Sequence, residues 1–153
     1  MAPRRHDGAA LLVAGYGATG APALEASAVH TLGQIGEALL ATGATWQIRR
    51  LAATAGERHA VDRATVKRHV DELVAERARV AVLVILGAIV DVDGQPALVT
   101  GPDAREYPED STLPLAWIRE RLATSHSEQT VVVLSARGEG APRAWLDLLA
   151  TRR

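Results

Sequence analysis

Val80-Ala-Val-Leu-Val-Ile-Leu86 sets seven apolar residues in a row, and Gly87 ends the run. A strand with one wet face alternates apolar and polar residues, whereas a strand covered on both faces reads as unbroken apolar sequence. The segment is therefore expected at the centre of a sheet. Upstream, Ala9-Ala-Leu-Leu-Val-Ala14 has the same character and stops at glycines, the pattern of a buried parallel strand. After a loop from Gly15 to Pro22, Leu24, Ala28, Leu32, Ile35 and Leu39 recur at helical spacing. They predict a helix over about residues 23–41, closed by Gly43. Thr45–Leu51 alternates enough for a second strand. After the polar loop from Thr54 to Asp62, Asp62 is placed to cap a helix whose apolar face is Val66, Val70, Leu73 and Val74.

Downstream of the central run, Ile89–Thr100 reads as a small hairpin turning at Asp93-Gly94. Residues 101–112 form a polar loop. Leu115, Ile118 and Leu122 predict a third helix with Pro114 near its first turn. Gln129–Leu134 is a fourth strand, Gly138 and Gly140 break the chain, and Trp145, Leu148 and Leu149 suggest a terminal helix. The order β-α-β-α-β-(hairpin)-α-β-α predicts an α/β fold, a mostly parallel sheet of about four main strands with helices on both faces. No repeat or linker divides it. One domain is expected over residues 9–150, after a polar tail at 1–8.

Composition narrows the chemistry. The 153 residues include no cysteine, which excludes disulfides, thiolate metal sites and a thiol nucleophile. Phenylalanine is also absent, so Val, Leu, Ile and 29 alanines must build the core. Seventeen basic residues against 18 acidic ones give a net charge of −1. That balance offers no electrostatic footing for nucleic acid or an anionic membrane. The start is polar, and the apolar run at 9–14 is too short for a secretory signal. A cytoplasmic location is the expectation.

Gly15-Tyr-Gly17-Ala-Thr-Gly20 matches the dinucleotide fingerprint and follows a strand. Arg49 and Arg50 near the end of strand two would suit a 2′-phosphate. Against this, the stretch from Gly20 to Thr45 is long for a tight β-turn-helix-β unit, and Pro22 suggests a helix that starts after the third glycine. A structural loop is the stronger expectation. Asp91, Asp93 and Asp103 carry oxygens for a divalent cation, but Asp-Gly is ordinary turn chemistry. His6, His30, His59, His69 and His126 are scattered without ligand spacing. Neither metal nor cofactor is expected. Ser135 stands after the fourth strand, where parallel sheets place their sites. It needs a nearby base to act as a nucleophile, and it is not in a G-x-S-x-G elbow.

Two strand-end segments carry a family resemblance. Val82-Leu-Val-Ile-Leu86-Gly87-Ala88-Ile89 is followed by Val90-Asp-Val-Asp93-Gly94-Gln-Pro-Ala-Leu-Val-Thr-Gly-Pro-Asp103. Thr112-Leu-Pro-Leu-Ala-Trp-Ile118 leads to Val131-Val-Val-Leu-Ser135-Ala136-Arg137-Gly138-Glu139-Gly140. Over roughly residues 9–140 the chain resembles the caspase-like peptidases, including bacterial metacaspases and orthocaspases. In that family the first strand ends in Ser-Gly-His-Gly with the catalytic histidine, and the last in Asp-Ala-Cys-His-Ser-Gly with the nucleophile. The resemblance implies a three-layer α-β-α sandwich. It also puts Ala88 at the histidine position and Arg137 at the cysteine position, with Ser135 replacing an acidic residue of the substrate pocket in basic-specific relatives. Alanine transfers no proton, and an arginine with a pKa above about 12 is neither base nor nucleophile.

The resemblance thus implies a pseudo-peptidase, an interaction or regulatory module of a bacterial signalling, conflict or programmed-death system. Gly87, Ala88, Ser135 and Arg137 would line a vestigial cleft, with Arg137 as the natural anchor for a carboxylate. Family members continue past the nucleophile with further strands, and here 13 residues follow Gly140. Either a longer protein or a reduced, large-subunit-like core is implied. In a reduced core, residues 131–134 become a sheet edge that seeks a protein partner or a second copy. A small Rossmann-like binder using Gly15, Gly17 and Gly20 is the alternative.

Overall fold

In the computed structural model, residues 6–15, 22–52, 61–101, 104 and 106–138 are described. The elements run β1 (His6–Ala14), α1 (Pro22–Leu40), β2 (Trp46–Ala52), α2 (Arg63–Ala75), β3 (Ala78–Val92), β4 (Gln95–Val99), α3 (Pro108–Ser111), β5 (Thr112–Pro114), α4 (Leu115–Leu122) and β6 (Gln129–Gly138). The fold is α/β around one mixed sheet of six strands. Its order is β2-β1-β3-β4-β5, with β6 also paired to β3. The terminal helix expected around Trp145 lies outside the described residues.

β2, β1, β3 and β6 are mutually parallel, as the strand-helix alternation predicts. The apolar run at 80–86 is indeed their centre. β1 pairs along it from Gly8↔Val80 to Ala14↔Leu86, and β6 from Val80↔Gln129 to Ile89↔Gly138. The ends of the strands differ from expectation. β1 begins at His6, inside the segment expected to be a tail. β3 does not stop at Gly87 but continues to Val92, so the expected hairpin is its second half returning as β4. β6 likewise runs on to Gly138. The cause is backbone pairing, which needs no side chain and carries β3 through Gly87 and β6 as far as Gly138.

Ile89 pairs with Gly138 of β6 and with Leu98 of β4. One residue pairs along only two edges, so β4 lies on the edge of β3 that β1 occupies further back. β4 takes over where β1 ends. At that junction the Gly15 amide donates to the Leu86 carbonyl at 2.8 Å. The β3–β4 turn holds Asp93 at φ 52° and Gly94 at φ 82°, the paired positive values of a type I′ hairpin. Asp91 Oδ1 accepts from the Gly94 amide at 2.7 Å and fixes the turn.

Side-chain parity divides the core. Ala9, Leu11 and Val13 of β1 pack with Val66, Val70 and Leu73 of α2 and Leu115, Ile118 and Leu122 of α4. Ala10, Leu12 and Ala14 pack with Leu32, Ile35 and Leu39 of α1. Successive strand residues point to opposite faces, so α1 covers one face and α2 with α4 the other. Asp62 caps α2 as expected, accepting from the Thr65 amide at 2.8 Å. α2 and α4 are also clasped at the surface. Lys67 sits 4.9 Å from the Trp117 ring centre, and Arg121 approaches the same ring at 5.9 Å while donating to Asp71.

Candidate functional site

Open parallel sheets place ligands outside the carboxyl ends of their strands, where strand order reverses. Here the chain leaves β1 for β2 on one side and returns to β3 on the other, so the reversal lies between β1 and β3. Gly15 ends β1 at this point. Gly87 and Ala88 lie beside it on β3, and Ser135 and Arg137 lie on the adjoining β6.

The register brings the two halves of the resemblance together. Leu86 pairs with Ser135, Gly87 with Ala136 and Ala88 with Arg137. Positions 88 and 137, separated by 49 residues of sequence, are direct partners in one parallel ladder. Ser135 and Arg137 are within strand β6 rather than in a loop beyond it, because β3 continues far enough to pair with them.

The environment of these positions differs from an open four-residue cleft. Ala88 is only 1% exposed and packs against Val99 of β4 and Ala104, with Val90 at the margin. Its methyl group therefore belongs to the core. Gly87 is half-buried, and a Cβ there would meet Leu98 Cδ1 at 3.3 Å and Gly15 Cα at 3.7 Å. The missing side chain lets β1 and β4 meet end to end beside β3. Ser135 is exposed, and no hydrogen bond among the described residues joins it to a histidine or carboxylate. A serine nucleophile needs such a base within hydrogen-bond reach.

Gly15 has a structural reason of its own. A Cβ there would meet the Val99 carbonyl oxygen at 3.3 Å. Gly17 and Gly20 lie outside the described residues. Helix α1 starts at Pro22, after the third glycine of the fingerprint, as the proline suggested. The third parallel strand sits beyond β1 from β2. In the dinucleotide fold that strand instead lies outside the second one.

The remaining candidates stay apart. Asp91 and Asp93 serve the β3–β4 turn, while Asp103 and His59 lie outside the described residues. His69 Nδ1 is 2.9 Å from the Thr65 carbonyl on its own helix. Among the described residues no group of three His, Asp or Glu side chains comes together to hold a metal. A shallow groove between α2 and α3 is lined by Asp62, Arg63, Lys67, Glu109 and Asp110, side chains of both signs. Arg63 closes part of it by donating to the Glu109 carbonyl. None of the described helices is long and apolar enough to cross a membrane.

One polar atom near the site escaped sequence reasoning. Thr100 follows β4 directly after Val99, is 3% exposed, and its Oγ1 has no hydrogen-bond partner among the described residues. A threonine after an apolar strand ordinarily reads as the strand's first wet residue, so nothing in the sequence marks it. No protein-family model matches the chain, and no curated protein matches it.

Proposed function

We propose that the chain is a catalytically inactive caspase-like domain, a three-layer α-β-α sandwich that serves as a protein-interaction or regulatory module. The setting we propose is the cytoplasm of a bacterium, in a signalling, conflict or programmed-death system. One observation carries the reading. The two positions that the resemblance assigns to the histidine and the cysteine, chosen from sequence motifs alone, are Cα partners on adjacent parallel strands at the site end of the sheet. The resemblance requires these two positions to be neighbours, and the register supports that requirement.

The residue types at the two positions argue against catalysis. A Cys–His peptidase needs a proton acceptor beside a thiol, and here the two places hold a methyl group and a guanidinium. By residue type, the end of β6 offers a hydroxyl at Ser135 and a guanidinium at Arg137. A peptide carboxylate is the ligand such a pair fits best, since Arg–carboxylate hydrogen bonds are charge-assisted and directional.

The test is a panel of fluorogenic peptides with Arg, Lys or Asp before the scissile bond, with and without calcium, run beside Ser135→Ala. The expected result is no turnover above that of Ser135→Ala. Turnover that disappears in Ser135→Ala would overturn the proposal, because the fold would then use a serine for hydrolysis.

A further inference from the structure

The sheet ends on different kinds of strand, and the contrast points to a second copy of this chain. β2, at one side, carries Arg49 and Arg50. Arg49 pairs with Glu72, and the Arg50 guanidinium lies across Gly36 of α1. β5 is only three residues long. Charge and shortness are two of the devices by which proteins keep sheet edges from pairing. β6 has neither. It is ten residues long, and among the described residues it pairs only with β3. From Gln129 to Ala136 it contains no charged residue and no proline. On its face toward α1, Val131 is 45% and Val133 46% exposed, although both sit in a strand.

An open edge offers a row of backbone N–H and C=O groups that only another strand can satisfy along its length. We propose that two copies of the chain pair through β6, antiparallel, about a two-fold axis at Val132. The inference goes beyond the inactive-peptidase reading and does not depend on it.

The symmetry selects the register. A two-fold axis perpendicular to the sheet keeps every side chain on its own face, so one residue must meet its own copy. Centred on Val132, the axis sets Val131 against Val133 of the partner subunit, and Val133 against the partner's Val131. The four exposed valines then form one apolar patch. Centring on Val133 would face Val131 with the Ser135 hydroxyl, and centring on Val131 would face Val133 with the Gln129 amide. Only the Val132 register matches both exposed valines. It also sets Glu128 opposite Ala136, so no like charges meet. The net charge of −1 leaves little long-range repulsion between copies.

A single added ladder is a small interface, so association near micromolar is expected. Sedimentation equilibrium of the full chain from about 1 to about 100 µM brackets that range. The mass should rise from 16.2 kDa toward twice that value. Val133→Lys should stay at the monomer mass with unchanged far-UV circular dichroism. Should that variant fail to fold, Val131→Lys tests the same patch. The register has its own readout, because the chain has no native cysteine. Gln129 faces Ser135 of the partner subunit, so the Gln129→Cys, Ser135→Cys double variant should crosslink on oxidation. Neither single variant should, because like positions lie far apart along the ladder. A monomer at every concentration overturns the proposal. So does a lysine variant that still dimerises, or a single-cysteine variant that crosslinks as fully as the double.

Discussion

At Gly8 the indole of Trp46 lies where a side chain would be. A Cβ built there would overlap three atoms of the ring, and the two residues are cross-strand partners in the β1–β2 ladder. Gly8→Ala must therefore displace the indole from β1, and we expect a loss of about 1–3 kcal/mol in chemical denaturation. Gly33 is the control. It lies within α1 with nothing inside 4 Å of a built Cβ, so Gly33→Ala should raise stability by about 0.5–1 kcal/mol through helix propensity. Ala88 ties this scale to the site. Its methyl group is enclosed by Val99 and Ala104, so Ala88→His overpacks a filled space. We expect that substitution to cost about 1–3 kcal/mol. The Ala88→His, Arg137→Cys pair should then show a lowered melting temperature and no peptide turnover. Measured turnover in the pair would mean that the space reopens around an imidazole.

The helices were legible because period and capping act locally. Asp62 and the Val66-Val70-Leu73-Val74 face each needed only their own neighbours, and both stand as expected. Asp62→Ala should lower stability by about 1 kcal/mol, the usual worth of an N-cap. Strand ends were less legible. The apolar runs stop at glycine, but hydrogen bonding to a neighbouring strand does not, and β3 extends six residues past Leu86. β5 escaped altogether, since three residues carry no period. Also invisible in sequence was the clasp between α2 and α4, where Lys67 and Arg121 flank Trp117. Trp117 packs on the core while staying partly exposed. Trp117→Ala should cost about 2–3 kcal/mol, at or below the low end for a fully buried tryptophan. The exposed Asp71–Arg121 pair should contribute under about 1 kcal/mol in a double-mutant cycle. Thermal or urea melts of these variants rank the terms directly.

At the scale of the molecule, strand order is the property a single sequence conceals, because each pairing joins segments far apart in the chain. The α/β class followed from alternation, but the mixed sheet, and the placement of β4 beyond β1, needed the register. The candidate site shared that fate. Its residues could be named from motifs, yet their opposition across β3 and β6 and the burial of Ala88 are tertiary facts. Strand order also bears on the glycine fingerprint, since β3 lies where the dinucleotide fold has no third strand. Added NADP⁺ at millimolar concentration should leave the melting temperature unchanged. A ligand at a hundred times its dissociation constant would add about 2.7 kcal/mol and be plain in the melt. The central position of β3 has one more consequence, and it falls on the nascent chain. Val80 leaves the ribosome 49 residues ahead of its β6 partner Gln129. At about 5–20 residues per second, that delay is roughly 2–10 s. For that interval the most apolar strand of the protein has β1 on one flank and water on the other. A chain halted at residue 128 should collect in the insoluble fraction, and the finished protein should depend on a holding chaperone during translation.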